Sequence, residues 1–512
     1  MEKQQNIATK RNPCDQCRRR RIRCSGASPC DRCISADLNC KHEYIPKRRG
    51  PKKGVGKIIA QLRPPSTGSI TPCLGSASDA AWNSDSVMLL GQYGQLNPLP
   101  SPASSSLTPE DIRSGADAVV SQNAHISSID ATIETCLELF LEHIYAIKPV
   151  LHRPALESMR KRPMEIHEKD LIYALCAMTA THMSGRPECI NGQVSWISLG
   201  RFFLDKCIQV RRTYEFIESR TLYVVLSSYF LFEAYFELDE QRKAWYYLQE
   251  AITLAQELGL DNESSYTNLS FVEALCRRRT FWLLFVSERA IAIFRHKPLR
   301  LFKTPAYPLD NFGYEGSDIQ RSLLGLIQTF TPLNASFVNI WNQSNYDISD
   351  ADLTVNWSNQ ALSIMQDDFN VFADSQKADI LVTQQWIRLI VWQSALQRGL
   401  LSSTSPNPCM TFQYPLEIAS FVLNITSTIP TFSIMVHGRG IFEKIYDIAC
   451  SMIDVATTHK VDFVNSPSGL FSGNPLALFM QILSATPNSQ QLYASALEAK
   501  AARQLEICDS LV

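Results

Sequence analysis

The sequence predicts a chain in three parts: a small cysteine-clamped module at the N-terminus, a disordered linker, and a large all-α domain. Three observations predict it. Six of the 15 cysteines fall between Cys14 and Cys40. From Pro64 to about Ser128 the chain turns rich in Ser, Pro, Gly and Asn, as in PPSTGSITPCLGSAS. From Ala131 onward apolar residues recur at helical spacing, with no convincing period-2 alternation. The expected boundaries are 10–46 for the cysteine module, 47–57 for a basic extension, 58–130 for the linker and 131–512 for the helical domain. At 512 residues and 45% hydrophobic content, the chain can bury a sizeable core.

A net charge of −1 conceals an asymmetry. Residues 1–63 hold 17 Lys/Arg against 5 acids, a formal +12, which leaves 32 basic against 45 acidic residues, or −13, for the remainder. A basic module that meets a polyanion, joined to an acidic body that does not, is the expected arrangement. The leading MEKQQNIATKRNP has no apolar h-region, so no secretory signal is expected. Cysteines outside the module (Cys73, Cys136, Cys176, Cys189, Cys207, Cys276, Cys409, Cys450, Cys508) show no pairing rhythm, the usage of a reducing compartment. The longest apolar run, Leu222 to Leu238, is interrupted by Ser227, Ser228 and Glu233 and is too short and polar for a membrane span. A soluble intracellular protein with no membrane partner is expected.

The module itself is spaced C-x2-C-x6-C-x5-C-x2-C-x6-C over Cys14, Cys17, Cys24, Cys30, Cys33 and Cys40. A CxxC pair turns two sulfurs onto one ion, and tetrahedral zinc takes four thiolates at about 2.3 Å. Two separate tetrahedra need eight thiolates; two ions that share two bridging sulfurs need six. The count therefore suggests a binuclear cluster, and the duplicated CxxC-x6-C halves suit a pseudo-twofold arrangement. A disulfide knot is disfavoured by the missing signal and the arginine load. His42 after the last cysteine reads as a solvated loop residue rather than a seventh ligand.

Arg18, Arg19, Arg20, Arg21 and Arg23 lie between the second and third cysteines. Pinned by metal, a short helix there would hold them in fixed directions. The planar guanidinium can donate twice to guanine O6 and N7 in the major groove, while neighbouring arginines neutralise phosphates. A solvated charge run is the competing reading, and five arginines inside a clamped loop weigh against it.

This stretch closely resembles the DNA-binding module of the fungal Zn2Cys6 binuclear zinc cluster transcription regulators. The resemblance implies a small domain of two short helices around two zinc ions, with Cys14 and Cys30 as the bridging ligands. One ion would then take Cys14, Cys17, Cys24 and Cys30, the other Cys14, Cys30, Cys33 and Cys40. Pro29 sits where the family often has a proline, in a loop that reverses the chain. It further implies that Arg20 and Arg21 read a CGG-type triplet, with most of the base preference resting on Arg21, and that Arg18 and Arg23 face phosphates. A nuclear factor acting at RNA polymerase II promoters, with DNA and the transcription machinery as partners, is what this family implies. The target set would be a carbohydrate-utilisation set or a secondary-metabolite gene cluster.

The run KRRGPKKG, with Arg48, Arg49, Lys52 and Lys53, follows the cluster. Its RGPKK core is similar to an AT-hook and to the tail of maltose-activator-like members of the family. An extended Arg-Gly-Pro segment suits a narrow minor groove; the same run reads equally as a nuclear localisation signal, or as a solvated linker. Beyond it, KIIAQLR is cut off by Pro64-Pro65 and no three-heptad a/d pattern follows. A homodimer, if one forms, must draw its contacts from elsewhere than a coiled coil.

In the body, Ile133, Leu137, Phe140, Leu141, Ile144 and Ile147 define an amphipathic helix ended by Pro149. An αα-hairpin is expected around Asp239-Glu240-Gln241, its second helix carrying Trp245, Leu248, Ala251, Ile252, Ala255 and Leu258 on one face and stopping at Gly259. EALCRRRTFWLLFVSERAIAIF reads as a further long helix. Residues 134–301 resemble the family's fungal-specific middle domain, with Glu288 where an Asp is commoner and His296-Lys297-Pro298 where a glycine often precedes the proline. Trp245, Tyr246, Phe281, Trp282 and Phe285 could line an effector pocket, although aromatics at helical spacing are more often core. Arg277, Arg278 and Arg279 are expected to pair with acids of the body. DDFNVFADS at 367–375 mixes acids and aromatics like an activation segment, with an ordinary helix or loop as the favoured reading.

An enzyme is not expected. GPKKGVGKI superficially suggests a phosphate loop, but Pro51 stands where a glycine is needed and Ile58 replaces the magnesium-binding Ser/Thr. The competing class is a zinc-dependent nuclear scaffold or co-repressor, which would keep the cysteines without using Arg20 and Arg21.

Overall fold

The computed structural model describes residues 13–20, 22–41, 129–186, 194–342, 371–459, 471 and 473–510. Expectations placed on Arg21, His42, Arg48, Arg49, Lys52, Lys53, KIIAQLR, the linker and residues 367–370 lie outside the described residues. The N-terminal module and the helical body fall in separate compact units.

In the module, α1 (Asp15–Arg19) is capped by Cys14 and α2 (Asp31–Ile34) by Cys30. Helices this short do not persist alone in water, because nucleation fixes several residues for one hydrogen bond. No apolar core compensates: Ile22, Ile34 and Leu38 are exposed, and what is buried is sulfur, from Cys14, Cys17, Cys30 and Cys33. The loop between the helices carries Pro29 after a cis peptide. Asp15 N–H donates to Lys41 O at 2.8 Å, tying the ends of the module together.

The body is helical and carries no strand among the described residues. Helix α3 (Ile129–Leu139) runs into a π turn at Phe140–Ile144. Short α4 (Arg153–Arg160) leads to α5 (Ile166–His182) and α6 (Trp196–Arg211). The hairpin forms as the sequence predicts, with α7 (Leu222–Glu237) and α8 (Gln241–Glu257) joined by a turn in which Asp239 takes φ +59°. Mostly apolar, with Ser227, Ser228, Glu233 and Glu237 buried among its apolar residues, α7 is buried on nearly every residue and becomes the centre of the first helical group, against α5 and α8. On α8 the buried face is Ala244, Leu248, Ala251, Ile252 and Ala255, and the chain leaves through Gly259 at φ +77°. Arg211 of α6 bonds Asp170 of α5 at 3.0 Å and Ser228 of α7 at 2.8 Å, so buried polar bonds tie this group as well.

The long helix arrives as α9 (Phe271–Arg295), started by Ser270 accepting from Glu273 N–H. Its C-cap His296 takes the left-handed conformation (φ +49°) that a glycine would ordinarily supply, and its ring stacks on Trp341. Glu288 is fully buried and accepts the backbone N–H groups of Arg300 (2.6 Å) and Leu301 (3.2 Å), holding the outgoing chain against α9. Beyond lie α10 (Ser317–Phe330), α11 (Ala335–Asn342), α12 (Asp374–Gln397), α13 (Tyr414–Thr428), α14 (Thr431–Met435), α15 (Arg439–Thr458), α16 (Pro475–Leu483) and α17 (Ser495–Ser510). Helices α12, α13 and α15 pack on one another, with α10 against α12 and α16 and α17 against α15. No helix among the described residues is long and apolar enough to cross a membrane.

Candidate metal centre and nucleic-acid interface

Six sulfurs form two groups of four, each with its members within 4.8 Å of one another. One group is Cys14, Cys17, Cys24 and Cys30; the other is Cys14, Cys30, Cys33 and Cys40. Sharing of Cys14 and Cys30, which spacing alone left open, is thus a feature of the geometry. Cys14 Sγ lies 3.6 Å from both Cys30 Sγ and Cys33 Sγ, and Cys17 Sγ lies 3.6 Å from Cys30 Sγ. Four sulfurs at about 2.3 Å from one zinc would be roughly 3.8 Å apart, so each group could hold one ion. All six cysteines are free, which removes the disulfide alternative.

The helices explain why the two shared sulfurs sit centrally. Each is the residue from which a helix begins, and the following CxxC partner, Cys17 or Cys33, lies one turn along on the same face. A near-symmetric pair of backbone bonds supports the outer sulfurs: Cys14 N–H donates to Cys24 Sγ (3.5 Å) and Cys30 N–H to Cys40 Sγ (3.4 Å). Cys17 N–H donates to Cys14 Sγ at 3.4 Å and draws that thiol down to about 6, whereas burial pushes Cys17 up to about 12 and raises Cys33 as well. So many thiols this close ionise together only when cations replace their protons. Six thiolates outweigh two dications by two negative charges, which suits a site surrounded by arginines.

Of the predicted contact residues, Arg18 and Arg19 occupy the last turn of α1, Arg20 is its C-cap, and Arg23 lies in the non-helical chain beyond; all four are exposed. Part of this placement is local electrostatics, since cations favour a helix C-terminus. Exposure on an element gripped by sulfur is what a phosphate- or base-contacting role also needs.

In the body the predicted aromatic set separates. Phe281, Trp282 and Phe285 are core, Tyr246 is 60% exposed, Trp245 is half-buried, and none of the five lines the cavity described below. Arg277, Arg278 and Arg279 pair with Glu273, Glu263 and Glu315 as expected; the last pair is fully buried, with both Arg279 terminal nitrogens at 2.7 Å from the carboxylate. Phe372 is buried beside the start of α12, so the described end of the proposed activation segment is packed structure.

A cavity of about 110 Å³, partly open to solvent, lies where α7, α9, α10, α12 and α15 meet. Tyr229, Phe232, Phe236, Phe294 and Phe330 contribute aromatic wall. Lys148, Glu233, Glu237, Asp379, His437 and Lys444 bring charge or polarity. Lys148 Nζ is 3.1 Å from Glu233, and Tyr229 donates to the same carboxylate at 2.8 Å. Burial alone would raise Glu233, but Lys148 and its other partners hold it at about 2. Lys444 donates to Thr383 at 2.6 Å with Asp379 3.9 Å away, and burial lowers both Lys444 and His437. Sequence reasoning missed this site because its members are scattered from 147 to 444. One signal was present: Glu233, a lone acid inside the apolar run.

Residues 12–50 match the fungal Zn(2)-Cys(6) binuclear cluster domain, and residues 137–311 match the fungal specific transcription factor domain. The chain carries both domains of the fungal Zn(2)-Cys(6) transcription factors, whose cluster binds two zinc ions and which bind DNA and act on transcription; it is a DNA-binding transcription factor and not an enzyme. It is similar to a maltose fermentation regulatory protein of Saccharomyces cerevisiae, 23% identical over 86% of this chain and 83% of the relative. It is similar also to a probable sucrose utilization protein of Candida albicans, 26% identical over 89% of this chain and 80% of that protein. A respiratory transcription factor of Saccharomyces cerevisiae is 25% identical over 64% of this chain and 70% of its own length.

Proposed function

We propose that the chain is a nuclear, pathway-specific activator that reads CGG-type triplets in the major groove and controls a set of carbohydrate-utilisation genes. In this reading Cys14, Cys17, Cys24, Cys30, Cys33 and Cys40 hold the two zinc ions, with Cys14 and Cys30 shared. Arg20 and Arg21 donate to guanine; Arg18, Arg19 and Arg23 neutralise phosphates. Arg48, Arg49, Lys52 and Lys53 follow the minor groove beside the site or direct nuclear import. The observation that carries the reading is the exposure of Arg18, Arg19 and Arg20 at the end of a helix whose N-cap, Cys14, belongs to both sulfur groups. Relatives named for maltose fermentation and sucrose utilization favour carbohydrate genes over a secondary-metabolite cluster.

A gel-shift competition with the full chain tests the DNA reading: a duplex carrying CGG triplets should displace the probe well before a duplex with the triplets scrambled. Equal competition would leave the scaffold or co-repressor reading standing. A reporter driven by the bound promoter, assayed with and without maltose or sucrose in the medium, tests the pathway. A reporter indifferent to both sugars would remove the carbohydrate assignment.

A further inference from the structure

We propose that the exposed apolar stretch Phe302–Leu309 is a docking strip on the helical body, and that its occupant is this chain's own acidic segment 347–357.

Beyond α9 the chain runs back along that helix as neither helix nor strand. Glu288 holds the N–H groups of Arg300 and Leu301, Trp282 Nε1 donates to Ala306 O at 3.1 Å, and Arg279 donates to Asp310 O at 3.2 Å. These bonds fix one side of the stretch. Its other side is apolar and open: Phe302 and Leu309 are 68% and 64% exposed, and Tyr307, stacked on Trp282, still shows much of its ring. Phe271, also exposed, sets its ring against Phe312 just past the far end. Single exposed apolar residues need no explanation, but several large ones along one short stretch mark a surface that something covers.

Charge and order select the occupant. Arg300 and Lys303 flank Phe302, are exposed, and form no ion pair among the described residues. Residues 343–370, outside the described residues, hold five Asp and no Lys or Arg. Asp347, Asp350 and Asp352 come first there, and Leu353, Val355 and Trp357 follow at alternate positions, the spacing by which an extended chain turns one apolar face to a surface. Laid along the strip in the same direction, the acids meet Arg300 and Lys303, and the apolar residues meet Tyr307 and Leu309.

The two places where the segment joins the body agree with this. Asn342, the last described residue before it, donates to Lys297 O at 3.0 Å, at the cationic end of the strip. Where the chain resumes, Gln376 in the first turn of α12 donates to Asp318 at 3.3 Å, three residues beyond the Glu315 that pairs with Arg279 at the far end. From Glu288 to Arg279 the helix spans about 14 Å at 1.5 Å per residue, well within the reach of the intervening chain. Tethered at both ends, the segment is held at high effective concentration, so modest contacts suffice.

Hydrogen exchange on the full chain tests the proposal. The N–H groups of Phe302, Lys303 and Thr304 have no partner among the described residues. With the segment docked, these amides and those of 353–357 should exchange at least about tenfold more slowly than in free peptides of the same sequence. Replacing 347–357 by a Gly/Ser stretch of equal length should release 302–304, while unchanged exchange in α7 reports an intact body. Arg300→Glu with Lys303→Glu, a pair at exposed positions only, should release 353–357, and adding Asp350→Lys with Asp352→Lys should restore its protection. Peptide-like exchange at 302–304 in the parent would overturn the proposal, as would protection that ignores either set of variants. Protection that grows with protein concentration would give the strip to a second copy and overturn it equally.

Discussion

Arg18 and Arg21 stand three residues apart, and the proposed function gives them different work: phosphate for the first, a base for the second. Replacing Arg18, exposed in the last turn of α1, by alanine should weaken binding to every duplex alike and reduce the salt slope by about one. Arg21→Ala should lose about 1 to 3 kcal/mol on the cognate site and flatten the base preference. Competition assays at two salt concentrations separate the outcomes, and equal losses on cognate and scrambled duplexes for both variants would show the roles to be misassigned. Elsewhere single residues announce themselves less. Asp447 is buried where it accepts from Trp386 Nε1 at 3.0 Å and Gln393 Nε2 at 3.3 Å, and burial pushes its pKa up to about 6. Below about pH 4 it is protonated folded or unfolded; between pH 4 and 6 only the unfolded chain ionises it, so stability falls as pH rises through that window, by about 3 kcal/mol in all. Asp447→Asn should therefore stabilise the chain in urea melts at pH 7 and not at pH 4. An equal effect at both would exclude the linkage.

Elements were legible in proportion to how locally their causes are written. The αα-hairpin was readable because α8 repeats small and large apolar residues at helical spacing and Gly259 ends it, all within one window. The π turn at Phe140–Ile144 was not, because the apolar spacing that marks the helix continues straight through it. At His296 the family-like glycine is absent, yet the left-handed cap forms anyway, held by a ring stacked on Trp341 from a different helix. Tertiary packing there overrides a local preference. The start of α15 is a sharper case. Gly438 takes φ +63°, and a Cβ on it would overlap the Glu237 carboxylate that receives the Arg439 N–H. Gly438→Ala combines left-handed strain with that clash and should cost about 1 to 3 kcal/mol. Chemical denaturation checks it, and a neutral result would mean that this junction between α7 and α15 is not held as described.

At the scale of the whole molecule, two kinds of information behave differently. The six cysteines lie within a short stretch, and metal chemistry limits how so many thiols can be used, so the cluster was readable before any fold. Which sulfurs are shared was not legible in the spacing and followed only from the family resemblance, with which the geometry agrees: Cys14 and Cys30 belong to both groups. The cavity was invisible from sequence, because Lys148, Glu233, Asp379 and Lys444 meet only after the body folds, and the aromatics singled out beforehand, Phe281, Trp282 and Phe285, went to the core instead. Charge asymmetry, in contrast, belongs to the chain as a whole and already separates a DNA-seeking end from an acidic regulatory mass. In the proposed function, sulfur-bound metal, and not an apolar core, orients the arginines that read DNA. Withdrawing zinc from the full chain and returning it in steps, while following affinity for CGG and scrambled duplexes, tests this directly. Sequence preference should vanish on chelation and return in full only near two zinc per chain, and preference that survives chelation, or is restored by a single equivalent, would contradict the account.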